Sequence, residues 1–173
     1  LAGGVRLISV EDDGQGILRD ELPIAFKRHA TSKIGNLHDL ESVATMGFRG
    51  EALPSIASVS RFTMQSRVQG SGDGWERVVD HGVLVSEGPA AIPPGTRVRV
   101  ENLFANIPAR RKFLRSARAE YGAALDSVKR LAMARADVSF SMEHGDRRTM
   151  MVAGGESGPD RVAALTDRAL AEA

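Results

Sequence analysis

A closely spaced series of strand-like segments in the middle of the chain constrains its fold more than any other feature. The segments cover residues 61–68, 75–80, 83–87 and 96–102. In the last one, Val98 and Val100 alternate with charged neighbours, which is the pattern of a half-buried antiparallel strand. The glycine-rich stretch 70–74 predicts a turn between the first two segments.

The region before these strands supplies one more strand and two helices. Residues 5–10 are rich in β-branched side chains and predict a strand that is buried on both faces. Asp20 is a candidate N-cap for a helix that ends near Arg28. Residues 30–50 show poor periodicity and predict a long loop, and residues 51–59 predict a second helix.

The region after the strands predicts a helix, a hairpin and a final helix. Apolar residues recur at helical spacing over residues 118–135, which predicts an amphipathic helix. Residues 138–143 and 148–152 predict a hairpin, and a linker leads to a helix-like run from residue 160. The element order predicts an α+β fold, a two-layer α/β sandwich with a mixed, mainly antiparallel sheet, and not a βαβ nucleotide fold.

Composition bounds the function classes. The 173 residues include 23 basic and 22 acidic side chains, so no global field points to nucleic acid or membrane. The absence of cysteine excludes disulfides and thiolate metal sites and fits a reducing cytoplasm. The chain starts at Leu1 inside a strand-like run and stops inside a helix-like run, so we interpret it as an internal fragment of a longer protein.

Two glycine-containing segments suit nucleotide chemistry. The segment Gly47-Phe48-Arg49-Gly50-Glu51-Ala52-Leu53 precedes a helix start, where free N–H groups attract anions and glycine permits close approach. Asp12 follows a strand and precedes Gly14 and Gly16. Its carboxylate can accept a hydrogen bond from an exocyclic amine such as adenine N6, with the glycines leaving room for a flat base. An acidic surface turn is the alternative interpretation.

Two further segments carry polar groups that suit nucleotide binding. The Thr31-Ser32-Lys33 segment supplies two hydroxyls and an ammonium that suit triphosphate oxygens, although Lys33 alone would be an ordinary solvated lysine. Thr96 follows Gly95 after a proline turn, where a plain strand start is also open. His29 is better explained as a helix-end or packing histidine than as a general base.

The segment 110–118 is locally basic. It suits contact with a DNA backbone, but a helix with a solvated basic face, anchored by Phe113 and Leu114, is the favoured interpretation. The stretch before it has a single aromatic residue and no stacking array.

In their order along the chain, four of these segments resemble the ATPase domain of the MutL family of DNA mismatch repair proteins. They are Asp12-Asp13-Gly14-Gln15-Gly16, Arg28-His29-Ala30-Thr31-Ser32-Lys33-Ile34, the Gly47 to Leu53 segment, and Pro94-Gly95-Thr96. The resemblance runs from about residue 3 to about residue 153. It implies the Bergerat ATP-binding fold of the gyrase, Hsp90, histidine kinase and MutL (GHKL) group. It also implies a partial ATP-binding domain over 1–153, and a linker with the first helix of a truncated transducer domain over 154–173.

The resemblance implies ATP as the ligand and a role for each site residue. Asp12 would bind the adenine directly and through a water shared with the Thr96 hydroxyl. Residues 30–50 would form the ATP lid. The implied ATP-binding residues are Asp12, Gly14, Gly16, Thr31, Ser32, Lys33, Arg49, Gly50 and Thr96. Asp13 stands where many relatives carry asparagine, and we expect little consequence.

The resemblance also implies groups that the printed sequence does not contain. Relatives carry a glutamate that activates water and an asparagine that holds Mg²⁺, and both are expected upstream of Leu1. Relatives also use a transducer-domain lysine at the γ-phosphate. We therefore expect no catalytic residue and no metal ligand in this stretch, and little hydrolysis by it alone, although the parent protein is expected to be an ATPase.

For the full-length protein, the resemblance implies ATP-driven lid closure and homodimerisation that couple mismatch recognition to downstream repair. The implied partners are a mismatch-recognition protein and DNA in the bacterial cytoplasm, with no membrane. Two alternatives stay open. One is the ATPase region of a type II topoisomerase-like protein, which the Gly47 signature argues against. The other is a non-hydrolysing interaction module, which intact Asp12, Gly50 and Thr96 argue against.

Overall fold

A computed structural model describes residues Leu1–Lys27 and Glu51–Thr166 of the chain. The chain divides into two compact units, one over Val5–Phe113 and the other over Leu1–Gly4 with the residues from Leu114 onward. The division between residues 153 and 154 concerns the domains of the longer protein and stays a prediction. No helix in the described ranges is long and apolar enough to cross a membrane.

The larger unit contains a five-stranded sheet and three short helices. Its strands are β1 (Leu7–Asp12), β2 (Arg61–Arg67), β3 (Gly74–Asp80), β4 (Val83–Ala90) and β5 (Gly95–Glu101), and its helices are α1 (Leu22–Ala25), α2 (Ala52–Ala57) and α3 (Pro108–Arg111). The strand order is β1-β5-β2-β3-β4. Every described pair in it is antiparallel. The predicted α+β fold is confirmed, although the described part of the sheet is not mixed.

The core of this unit follows from the two-residue period of β2. Phe62 and Met64 point to the same face, where Leu22 of α1 and Ala57 of α2 cover them. The Phe62 ring meets the ring of Phe26 edge to face, with the ring centroids 5.3 Å apart. The short helices therefore depend on this apolar face and not on their own length.

The opposite face of the sheet carries a polar ladder. Arg97 on β5 donates to both carboxylate oxygens of Glu11 on β1, at 2.9 and 3.0 Å, and to Gln65 on β2 at 3.4 Å. Gln65 donates in turn to Glu76 on β3 at 2.6 Å. The hydrogen bond from Arg97 to Glu11 raises the pKa of the guanidinium. Strand alternation thus separates an apolar face from a charged one.

The prediction that the first strand is buried on both faces is wrong. β1 lies at the edge of the sheet, and Val10 is 61% exposed. The core cluster contains residues of β2, β3 and β5 but none of β1. A run of β-branched residues is typical of central and edge strands alike, so the sequence does not indicate which of the two will be covered.

The smaller unit contains a long helix, a hairpin and a second helix. These are α4 (Ala117–Ala134), β6 (Phe140–His144), β7 (Arg147–Val152) and α5 (Gly158–Leu165). The side chains of Ser116 and Ser157 accept hydrogen bonds from backbone N–H groups and cap the two helices. The predicted helix and hairpin are confirmed, with bounds shifted by one or two residues.

Arg161 of α5 is a fully buried arginine that the sequence analysis did not single out. It donates to the carbonyl oxygens of Ala132, Arg135, Ala136 and Val138 at 2.8–3.1 Å, and to that of Ala153. Its Nε donates to Glu156 at 2.7 Å. One guanidinium thereby satisfies the carbonyls at the end of α4 and in the loops around the hairpin.

Candidate functional site

Three polar side chains stand in one row across the neighbouring strands β1, β5 and β2. Asp12 is paired with Thr96, and Thr96 is paired with Ser66. Directly paired residues of antiparallel strands project from the same face, so the three side chains lie side by side. The next row along the same strands is the apolar one of Val98 and Met64. The polar row therefore marks the point where the helix-covered face of the sheet ends.

The Asp12 carboxylate organises the turn that follows it. Its Oδ1 accepts a hydrogen bond from the backbone N–H of Gly14 at 3.0 Å. A Cβ on Gly14 would lie 2.8 Å from the same oxygen, so a larger residue there would have to displace the carboxylate slightly. The second carboxylate oxygen accepts no hydrogen bond from the described residues, which leaves it available to a ligand.

Gly16 and Gly95 make room for the backbone of the protein itself. Both have positive φ, +76° and +123° respectively. A Cβ on Gly16 would overlap the carbonyl oxygen of Arg67, and one on Gly95 would overlap that of Asp12. The sequence predicted that Gly16 leaves space for a base; the structure adds a requirement for glycine that comes from the end of β2.

Ser66 is the residue of this site that the sequence analysis missed. It is 1% exposed, and its Oγ accepts from the backbone N–H of Ile17 at 2.8 Å and donates to the carbonyl oxygen of Gly95 at 3.0 Å. Oγ of Ser66 also lies 2.9 Å from Oγ1 of Thr96. The sequence does contain a signal for Ser66. It is a polar residue on the helix-covered face of β2, and it follows the two apolar residues Phe62 and Met64 on that face.

Gln69 holds the glycine turn from the other side. Its side-chain amide donates to the carbonyl oxygens of Asp13 and Gly14 at 3.3 and 3.2 Å. Its backbone N–H donates to the carbonyl of Gln15 at 3.3 Å. The end of β2 thus fixes the turn that follows Asp12 through both Ser66 and Gln69.

An open cavity of about 380 Å³ adjoins this end of the sheet. Its lining combines apolar side chains with polar and charged ones, and it includes Ile17, Leu18, Arg19, Ser66, Asp73, Trp75 and Pro89. The guanidinium of Arg19 lies 3.8 Å above the centre of the Trp75 ring. Among its described lining residues the cavity includes Ser66 but neither Asp12 nor Thr96, so Ser66 connects the cavity to the polar row.

The structure brings together Asp12, Gly14, Gly16 and Thr96 of the predicted site residues. The others, Thr31, Ser32, Lys33, Arg49 and Gly50, lie outside the described residues, as do His29 and the predicted lid over 30–50. In the described ranges, no group of three or more His, Asp or Glu side chains is placed to hold a metal ion.

The basic segment agrees with its favoured interpretation only in part, because Arg110 and Arg111 are exposed on a helix but Phe113 does not anchor it. Its helix, α3, has only four residues, and Phe113 is 86% exposed. Phe113 therefore does not anchor the segment, because its ring buries almost no surface. Arg110 lies 5.9 Å from the centre of the Phe104 ring, which is the one aromatic contact described for the basic side chains here.

Sequence comparisons connect the chain to bacterial mismatch repair proteins. It is 62% identical over 170 residues to the DNA mismatch repair protein MutL of Rhizorhabdus wittichii, a match that covers 98% of this chain and 28% of the relative. It is 60% identical over 169 residues to the MutL protein of Sphingopyxis alaskensis, with the same coverage. The chain thus spans about 28% of the length of these relatives. No family model matches the chain.

Solved structures agree with the sequence comparisons. The Aquifex aeolicus MutL ATPase domain complexed with ADP is 31% identical, with a TM-score of 0.73, and the match covers 92% of this chain and 56% of that one. The ATPase domain of the bacterial mismatch repair endonuclease MutL from the same organism is 27% identical, with a TM-score of 0.68, covering 91% and 53%. The fold is therefore the GHKL type that the motifs predicted. With 62% identity along nearly its whole length, the chain belongs to the MutL family of DNA mismatch repair proteins.

Proposed function

We propose that the chain is the ATP-binding part of a MutL-like mismatch repair protein and that Asp12 and Thr96 bind the adenine. The observation that carries the proposal is the polar row at the end of the helix-covered face. Asp12 and Thr96 are paired across β1 and β5, beside a turn whose glycines pack closely against the protein. The ADP complex of the Aquifex aeolicus ATPase domain supports a nucleotide as the ligand.

The chemistry of the Asp12 carboxylate suits the exocyclic amine of adenine. An ionised carboxylate only accepts hydrogen bonds, and the exocyclic amine of adenine only donates them. Oδ1 of Asp12 is already used by Gly14, and its second oxygen faces no described donor. A hydrogen bond between this oxygen and the amine is charge-assisted and is about twice as strong as a neutral one.

The phosphate end of the site is proposed from the motifs. Thr31, Ser32 and Lys33 supply hydroxyl and ammonium donors, and Arg49 and Gly50 supply a guanidinium and a backbone N–H. Such donors match the oxygens of a triphosphate. Mg²⁺ bound with the triphosphate would supply neutralisation of the charge on its oxygens.

For the full-length protein we propose ATP hydrolysis, nucleotide-dependent homodimerisation, and coupling to a mismatch-recognition protein and DNA in the bacterial cytoplasm. The relatives that support this proposal are DNA mismatch repair proteins. Residues 1–153 would belong to the ATP-binding domain and residues 154–173 to the linker and first helix of the transducer domain.

Titration of the full-length protein with a non-hydrolysable ATP analogue in a calorimeter tests the proposal. We expect saturable binding of one analogue per chain. The same titration with Lys33→Ala should give weaker binding, because one positive charge at the triphosphate is lost. A wild-type protein that releases no heat with the analogue and leaves it unbound in equilibrium dialysis would contradict the proposed function.

A further inference from the structure

The buried Ser66 hydroxyl has a hydrogen-bond arrangement that fixes the proton of its neighbour. A serine hydroxyl carries one proton and two acceptor lone pairs. The backbone N–H of Ile17 donates to Oγ of Ser66 at 2.8 Å. The proton of Ser66 goes to the carbonyl oxygen of Gly95 at 3.0 Å, because a carbonyl can only accept. The 2.9 Å contact with Thr96 must then use the proton of Thr96.

The consequence for Thr96 is that its hydroxyl can only accept from a ligand. Its single proton is directed to Ser66, so lone pairs remain for the open side. Asp12, the paired neighbour of Thr96, is also an acceptor. The row therefore presents two acceptors side by side and no hydroxyl donor. Ser66 is 1% exposed, so water does not compete for its hydrogen bonds.

We propose that Ser66 is a positioning residue that holds the Thr96 hydroxyl as an acceptor and thereby helps the site to select adenine over guanine. The inference rests on the proposed nucleotide site. Adenine places a donor amine at the position where guanine carries an acceptor oxygen. The oxygen of guanine would therefore face the acceptor oxygens of Asp12 and Thr96 without a proton between them. If Ser66 is removed, the Thr96 hydroxyl is free to rotate and to donate to that oxygen.

The test is a comparison of affinities, because a merely structural serine would weaken both nucleotides alike. Full-length wild type and Ser66→Ala are titrated calorimetrically with non-hydrolysable ATP and GTP analogues. We expect the ratio of ATP-analogue to GTP-analogue affinity to fall about tenfold in Ser66→Ala, the effect of one misdirected hydrogen bond. The double variant with Thr96→Val should abolish the gain of guanine binding, since it removes the rotating hydroxyl.

Ser60 provides a matched control. It is also a fully buried serine of the larger unit, and its Oγ donates to the carbonyl of Ile56 at 2.7 Å, away from the row. Ser60→Ala should leave the affinity ratio unchanged. Should Ser66→Ala fail to fold, Ser66→Cys retains a weak donor and acceptor and should give a ratio between wild type and the tenfold change.

The outcomes separate the two proposals. If wild type binds the ATP analogue but Ser66→Ala and Ser66→Cys weaken both analogues by the same factor, Ser66 is only structural and the inference is overturned. If wild type binds neither analogue, the proposed function fails and the inference fails with it.

Discussion

The backbone of Gly95 passes so close to Asp12 that a Cβ on the glycine would overlap the Asp12 carbonyl oxygen. Gly95 has a φ of +123°, a conformation that side-chain-bearing residues rarely adopt. This approach joins the end of β1 to the start of β5, where Asp12 and Thr96 are paired. The position of Asp12 and Thr96, which we propose to bind the adenine, is thus set by a backbone contact that only glycine allows.

Gly16 and Gly70 separate the effect of close packing from that of backbone conformation. Their φ values are +76° and +78°, but a Cβ on Gly16 would overlap Arg67 whereas one on Gly70 meets nothing within 4 Å. Gly70→Ala should destabilise by about 1 kcal/mol, the strain of a left-handed alanine. Gly16→Ala should cost about 3 kcal/mol or more, because backbone must also move.

Amide hydrogen exchange of β1 and β2 peptides in the full-length protein measures these losses as local opening free energies. Equal losses for the two alanine variants would show that the Gly16 turn can relax away from β2.

Arg161 should be among the most sensitive positions of the smaller unit. Arg161→Met would leave at least three buried or partly buried carbonyls, those of Ala132, Val138 and Ala153, without their donor. We expect a loss of about 3–5 kcal/mol. Arg135→Met is the matched control, because Arg135 is exposed and pairs with Asp137 at the surface. Its loss should be much smaller than that of Arg161→Met, because water and salt screen an exposed ion pair.

Exchange protection of α4 and the β6–β7 hairpin reports on both arginine variants. A similar, small change for Arg161→Met and Arg135→Met would mean that water replaces the guanidinium without penalty.

The interactions of Glu120 predict that the stability of the smaller unit depends on pH. The backbone N–H and the Nε of Arg115 both donate to Oε1 of Glu120, at 3.0 and 3.2 Å, and they lower the pKa of that carboxyl. The folded-state pKa therefore lies below the unfolded-state one. The stabilisation is fully present above the unfolded-state pKa and is lost as the pH falls through the folded-state pKa.

Glu120→Gln should accordingly be less stable than wild type at pH 7, with the difference shrinking in acid. The urea midpoint measured between pH 7 and pH 3 checks this, with the exposed Asp126→Asn on the same helix as control. A difference that grows as the pH falls would have the wrong sign.

The sequence predicted the parts of the fold that depend on local pattern. The strand-like segments predicted β2 to β5, with alternation argued for the last of them, and the motifs singled out Asp12 and Thr96 before any register was known. Ser66 was missed because serine is common, and its importance comes from the register that places it beside Thr96. Arg161 was missed because an arginine on a helix is normally exposed. Both depend on long-range contacts that no local pattern contains.

The most direct test of the nucleotide site compares Asp12→Asn with Glu11→Gln in the full-length protein. The two carboxylates are adjacent on β1, but Glu11 faces the polar ladder and pairs with Arg97 on the other side of the sheet. Calorimetric titration with a non-hydrolysable ATP analogue should show a loss of about thirty- to one-hundredfold for Asp12→Asn, or roughly 2–3 kcal/mol, because an amide donor can face the adenine amine. Glu11→Gln should bind as wild type does. Unchanged affinity for Asp12→Asn, or an equal loss in both variants, would contradict the assignment of Asp12 to the adenine.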